Sequence, residues 1–303
     1  MNQESKEIIS VTNSLMKPKI DYAFKEIMRN EKARIGFLSA ILHLNPTNIK
    51  DTILLNTNLS KEHENDKQGI VDVRILMNDN TEIDIEIQLS PLNVWADRSL
   101  FYLSKMYTDQ IEKGQSYTVF KKCVSISILD FKLFKDTEEF YSCFHILEDT
   151  RHTLYTDKME FHVLELPKLP KQLKEDASDI LLWGKFISAE SKEEFDMLAE
   201  KNEYINSAYE QLQVISQDKQ KQIEYTARMK AVLDYKQSIL EARQEGEKIG
   251  EQRGLETGRQ QGIQALILDN LEEGFSKEKI IEKLQKRFEL TKEQAEQYFN
   301  QIK

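Results

Sequence analysis

From Glu82 to Leu89 the side chains alternate without a break. Ile83, Ile85, Ile87 and Leu89 fall on one face, Glu82, Asp84, Glu86 and Gln88 on the other. A two-residue period fits an extended strand with one buried face. The segment before it repeats the pattern, with Val71, Val73, Ile75 and Met77 opposite Asp72 and Arg74. Asn78-Asp79-Asn80-Thr81 between them supplies turn chemistry, so 70–89 reads as a β-hairpin. With both apolar faces aligned, Asp72 becomes a direct or diagonal neighbour of Glu86, and facing Cβ atoms lie ~4.5–5.5 Å apart. Two carboxylates that close repel unless positive charge stands between them. One source is Arg74, neutralising Glu86 or Asp84 on an exposed sheet face. The other is a hard divalent cation such as Mg²⁺, which takes oxygen ligands at ~2.0–2.1 Å. Such an ion generates a hydroxide nucleophile and stabilises charge developing on phosphorus-bound oxygen.

The surrounding chain predicts the frame that holds this hairpin. Pro18 to Leu44 has helical spacing in Phe24, Ile27, Met28, Ile35, Leu38 and Leu42, with Asp21 as N-cap and Asn45-Pro46 as the stop. Asn56 to Gln68 is polar and reads as a loop. Ser90-Pro91 ends the acidic strand, and a helix follows over Asn93–Lys113 with Gly114 as its C-cap. Trp95, Leu100, Leu103 and Tyr107 give that helix an apolar side, while Arg98, Tyr102 and Lys105 mark another face. Further strands are predicted over Cys123–Leu129 and from Glu160 to Leu166, before the Pro167–Pro170 break. The order helix, hairpin, helix, strand, strand implies an α/β sandwich around a mixed sheet.

Past Lys171 the strand signal stops. Residues 178–245 have helical spacing, including Met229, Val232, Leu233 and Leu240. Gly246, Gly250, Gly254, Gly258 and Gly262 then recur every four residues. Each helical glycine costs roughly 1 kcal/mol against alanine, so the ladder needs a reason. A marginal helix serving as a linker is the first reading, and close approach to a partner chain the second. Two short helices close the chain, introduced by Ser276 and by Thr291-Lys-Glu-Gln294, a capping box.

Composition limits the functional classes. The 303 residues are 40% hydrophobic and 31% charged, with a net charge of −10, which suits a core-bearing protein and opposes non-specific nucleic-acid binding by the whole surface. A local basic groove remains compatible, because screening limits each charge to roughly 10 Å. No apolar run is long enough for a bilayer, and Met1 to Ser10 lacks the apolar stretch of a signal peptide, so the expectation is a cytoplasmic protein without membrane partners. Cys123 and Cys143 form no CxxC pair and read as buried free thiols. His43, His63, His145, His152 and His162 show no zinc-ligand spacing and read as surface or core residues.

The segments Lys17-Pro18-Lys19-Ile20-Asp21-Tyr22-Ala23-Phe24-Lys25, Val71-Asp72-Val73 and Glu86-Ile87-Gln88-Leu89 carry a resemblance. They resemble the recombination-promoting nuclease (Rpn) and transposase family of the PD-(D/E)xK, restriction-endonuclease-like superfamily. The similarity continues through Arg98, Tyr102, Tyr107, Ile128-Leu129-Asp130 and the glycine-laddered tail. It implies a restriction-endonuclease-like core over 14–175, a helical extension over 176–245, the glycine-laddered linker over 246–262 and a helical hairpin module over 263–303. It implies a Mg²⁺-dependent DNA endonuclease, with roles in recombination, mobile elements or defence. Asp72 matches the first metal-binding aspartate and Glu86 the second acidic ligand. Gln88 takes the place of the superfamily's lysine; its amide can position a water but cannot act as a base. Asp21 resembles an early acidic position, which helix capping explains equally well. Lys105 is a candidate migrated lysine or a solvated helix face. Arg98, one turn from Tyr102, suits either a phosphate contact or packing against the sheet, and Lys121 extends a possible DNA groove. The competing class is a catalytically weak nuclease-like protein that binds DNA or self-associates, including through the C-terminal helices.

Overall fold

A computed structural model of the chain describes residues 15–59 and 70–302. The N-terminal segment, His63 and the 60–68 part of the expected loop lie outside these residues. Two compact units are present, one up to Ala231 and one from Val232.

The first unit is built on a six-stranded mixed sheet of order β1-β2-β3-β4-β6-β5. Its strands are β1 (Thr52–Leu54), β2 (Val73–Met77), β3 (Glu82–Gln88), β4 (Cys123–Leu129), β5 (Tyr141–Leu147) and β6 (Leu154–Glu165). The expected hairpin is β2–β3, antiparallel, with Val73 opposite Ile85 and Arg74 opposite Asp84. β3 and β4 pair in parallel, as do β4 and β6. Parallel neighbours need a crossover; between β3 and β4 the chain passes through helix α3 (Trp95–Thr108), shorter than the expected 93–113. Gly114 is not its C-cap: it lies beyond the helix end, in a turn with φ of +90°.

The expected first helix is two, α1 (Asp21–Ile27) and α2 (Glu31–Leu42). Apolar spacing runs through the break, but the Asn30 side chain accepts the Ala33 N–H at 3.0 Å and starts a new helix there. Asp21 is therefore the first helical residue, after Ile20 at the N-cap. Helices α4 (Asp179–Ser188), α5 (Lys192–Lys201) and α6 (Glu203–Gln217) pack over the same sheet face as α1 and α2. Edge-to-face or stacked rings link Phe24, Phe37, Trp183, Phe186, Phe195 and Tyr209 in one chain across these five helices. Each such pair adds about 0.5–1.5 kcal/mol beyond its buried area.

The opposite sheet face carries Glu82, Asp84, Glu86, Ser125 and Ser127, all buried. α3 covers it, packing Tyr102, Leu103 and Met106 with Cys123 in a second apolar cluster. The carboxylate row is thus interior, not the solvated sheet face its polarity suggests. Arg74 pairs with Glu82 rather than with Asp84 or Glu86.

Helix α7 (Lys219–Glu272) contains the whole glycine ladder. In the second unit, Ile263 and Ile267 of α7 pack with Ile280, Ile281 and Leu284 of α8 (Lys277–Phe288) and Ala295 and Phe299 of α9 (Lys292–Ile302). The capping box at Thr291 forms as expected: Thr291 N–H donates to Gln294 Oε1 and Gln294 N–H to Thr291 Oγ1. No helix among the described residues is long and apolar enough to cross a membrane.

Candidate metal centre

The acidic pair is built by a departure from the strand pattern. β2 starts at Val73, and Asp72 sits at a bend before it. Val71 consequently leaves the apolar face of Val73 and Ile75 and packs instead with Tyr102 under α3. The bend lets Asp72 and Glu86 bind each other reciprocally. Asp72 N–H donates to Glu86 Oε1 at 3.0 Å, and Ile87 N–H donates to Asp72 Oδ2 at 2.9 Å. The Asp72 carboxylate thus replaces a ladder acceptor at the point where β2 has not yet begun.

α3 supplies the cation beside Glu86. Trp95 Nε1–H donates to Ser127 Oγ at 3.1 Å, anchoring the helix start over the acidic face. One turn on, the Arg98 guanidinium lies 3.3 Å from Glu86 Oε2, over the rings of Trp95 at 5.6 Å and Tyr102 at 5.2 Å. Arg98 therefore serves as the ion-pair partner of Glu86, held in place by aromatic packing on both sides. Its Nε has no hydrogen-bond partner.

A second cation arrives from α7, where Arg228 forms a two-point ion pair with Asp21; its Nε–H donates to Asp21 Oδ1 at 2.8 Å. Sequence reasoning missed Arg228, because nothing local in its long, charge-rich helix marks it. When all three are ionised, Asp21, Asp72 and Glu86 carry more negative charge than Arg98 and Arg228 neutralise. Burial, reinforced by Asp72 and Asp84, raises the carboxyl of Glu86 well above the usual range. Asp72 is also raised, by burial first, against the pull of the Ile87 N–H and with the push of Asp21. Beneath them Asp84 is wholly buried, its Oδ2 accepting from Ser125 Oγ and its Oδ1 without a partner among the described residues; burial pushes it up to about 8.

These observations fit a hard divalent cation. The donors of Asp72 and Glu86 are carboxylate oxygens, the two residues are joined directly by the Asp72 N–H, and their charge is under-compensated. Asp72 also lines an open cleft of about 400 Å³, whose walls include Lys25, Arg29, Asn56 and Arg74. Arg29 is paired with Glu26 and Arg74 with Glu82. Lys25 has no ion-pair partner among the described residues.

The other expected residues separate. Gln88 ends β3 beside the pair, and its Nε2–H donates to Ser90 O at 3.0 Å, leaving the amide oxygen as an acceptor. Lys105 is held by Asp109 at 3.3 Å. Lys121 is not brought to the site: it lies six residues before Ser127, the register partner of Glu86, hence roughly 20 Å away along the strand. The described histidines are surface or core residues as expected, and one cysteine departs from expectation. Cys123 is buried, but Cys143 is exposed and lies with Glu160 and His162 in one cluster.

A bend-and-strand acidic pair at the centre of a mixed sheet flanked by helices defines a restriction-endonuclease-like nuclease core. Residues 18–242 match the model of the PD-(D/E)XK nuclease family transposase, and the chain belongs to that family. No curated protein and no solved structure matches the chain. The match ends before the glycine ladder.

Proposed function

We propose that the chain is a divalent-metal-dependent DNA endonuclease, with Asp72 and Glu86 as the ligands of a Mg²⁺-class ion. The observation that carries this reading is the under-compensated Asp72–Glu86 pair, with Glu86 buried and Asp72 lining a cleft with cationic walls. When bound, the ion supplies Lewis acidity and lowers the pKa of water. The chain's own residues do the rest. Arg98 holds Glu86 in place, and the reciprocal bonds with Glu86 and the Ile87 N–H fix Asp72. Gln88 accepts a hydrogen bond from the attacking water and orients it, without taking its proton. Lys25 draws a backbone phosphate into the cleft, with Arg29 and Arg74 behind it. Arg228 keeps Asp21 neutralised near Asp72.

One observation favours a second reading, metal-dependent DNA binding with little turnover. Gln88 is uncharged, and the candidate replacement, Lys105, is engaged by Asp109. Supercoiled plasmid incubated with the protein in Mg²⁺ or EDTA separates the two. Nicking that requires Mg²⁺ and disappears in Asp72→Ala and Glu86→Ala supports the endonuclease. Nicking unchanged in both variants sinks the site, and metal-dependent retention without nicking supports the second reading. We extend the proposal to self-association through the C-terminal helices, since Gly246, Gly250, Gly254 and Gly258 face open space. Light scattering on a chain truncated after Leu240 tests it; an unchanged mass refutes it.

A further inference from the structure

The sheet carries a second group of ligand-type side chains, on the other face and at the other edge. β5 is an edge strand, paired antiparallel with β6 so that Cys143 faces His162 and His145 faces Glu160. Paired residues share a face, so all four side chains project together. His162 is in register with Ile126, and Glu86 with Ser127, so this group lies across the sheet from Glu86.

The hydrogen-bonding of His162 is incomplete in an informative way. Its ring is almost wholly buried, at 1% exposure. The Tyr141 hydroxyl donates to Ile41 O at 3.1 Å and lies 2.7 Å from His162 Nδ1, an arrangement that favours the tautomer in which Nδ1–H donates to the hydroxyl. That tautomer leaves a lone pair on Nε2. Nε2 sits 2.8 Å from Glu160 Oε1, at ion-pair contact distance, without an aligned N–H···O bond among the described residues. An imidazole nitrogen and a carboxylate oxygen this close can share one cation, which a metal ion does from beside the line that joins them.

Cys143 completes the geometry. Its Sγ lies 3.7 Å from Glu160 Oε1, and one donor atom from each of Cys143, Glu160 and His162 falls within 4.8 Å of the others. Tetrahedral zinc with a sulfur at ~2.3 Å and an oxygen at ~2.0–2.2 Å spaces those two donors ~3.6 Å apart. The His145 ring flanks them, 3.9 Å from Cys143 Sγ through Nδ1 and 3.6 Å from Glu160 Oε2 through Nε2. Thiolate, imidazole and one carboxylate select a borderline-soft metal, unlike the all-oxygen set at Asp72 and Glu86. Tyr141 then fills the part of the outer partner that fixes the ligand tautomer. The Lys122 ammonium, which contacts Glu160 and is partly exposed, is the competing cation and has room to turn outward.

We propose that Cys143, Glu160 and His162, with His145 as fourth ligand, bind one zinc-class ion that ties edge strand β5 to β6. Binding expels the Cys143 thiol proton to solvent, and the resulting thiolate forms the metal–sulfur bond.

Metal-stripped full-length protein titrated with Co²⁺ and Zn²⁺ tests this. The expected result is one zinc per chain retained in excess Mg²⁺, and a Co²⁺ adduct with thiolate charge-transfer absorption. Cys143→Ser should abolish that absorption, and Tyr141→Phe should weaken zinc binding about 10–100-fold. Lys122→Gln should bind zinc more tightly, a gain that misfolding cannot mimic. Retention in the Asp72→Ala, Glu86→Ala double variant separates this site from the nuclease centre. A Co²⁺ adduct without thiolate absorption, or zinc binding indifferent to both Cys143→Ser and Lys122→Gln, overturns the proposal.

Discussion

Lys25→Ala isolates the electrostatic contribution of the cleft that Asp72 lines. Of the three cations on its walls, Arg29 and Arg74 already answer Glu26 and Glu82, so Lys25 alone adds uncompensated positive charge. A lysine that neutralises one duplex phosphate contributes about −0.9 to the slope of log K against log salt. Extrapolated from 1 M to 0.15 M salt, one such contact is worth about fivefold in affinity, or about 1 kcal/mol. The assay is fluorescence anisotropy of a labelled duplex in EDTA, where hydrolysis is suppressed, repeated over a range of NaCl concentrations. Lys25→Ala should flatten the slope by about 0.9 and weaken binding about fivefold at 0.15 M. Lys121→Ala, at the far end of the strands, is the control and should leave the slope unchanged. A slope unaltered by Lys25→Ala but altered by Lys121→Ala would move the DNA track away from the acidic pair and refute the reasoning.

Two glycines should respond to alanine with opposite signs. At Gly36 in α2 an added Cβ would collide with the Tyr204 side chain of α6, at 2.5 Å from its Cγ, so Gly36→Ala should lose about 1–3 kcal/mol or more in urea denaturation. At Gly254 nothing within the chain lies within 4 Å, so Gly254→Ala should raise the helix content of the C-terminal unit, by up to about 1 kcal/mol of propensity, while weakening self-association; a loss of helix content would contradict the open placement within the chain. The raised carboxyls of Asp72 and Glu86 set a pH dependence. The folded state holds protons that the unfolded chain releases, so this pair favours folding at low pH and opposes it as pH rises through the raised values. Mg²⁺ must displace those protons, so its affinity, read as the Tm gain on adding metal, should grow from pH 6 to pH 8; a pH-independent gain would contradict ligation by this pair. Arg228→Met removes positive charge from beside Asp72 and breaks its ion pair with Asp21, so it should strengthen Mg²⁺ binding while weakening DNA binding, and parallel changes in both would argue against its placement.

How much of this was legible turns on where the hydrophobic period survives. β4 runs from Cys123 to Leu129 as expected, because a strand buried on both faces is apolar throughout. β5 was not legible: at the sheet edge, most of Tyr141–Leu147 is exposed, so no buried face imposes alternation on its sequence. The acidic pair was legible as proximity, since Asp72 and Glu86 sit on matching phases of two strands. Its burial was not, because a row of carboxylates reads as solvent-facing until α3 is laid across it. Arg228 belongs to a helix whose own pattern gives no hint of Asp21. The Cys143 cluster shows the same limit from another side. Its ligands come as two period-two doublets, Cys143-Phe-His145 and Glu160-Phe-His162, each too short to signal a metal site alone. Only the β5–β6 register sets one doublet opposite the other. The reasoning that joined Asp72 to Glu86 would have joined these two as well, had β5 carried a readable period. In this fold a ligand set becomes visible only when both of its strands do.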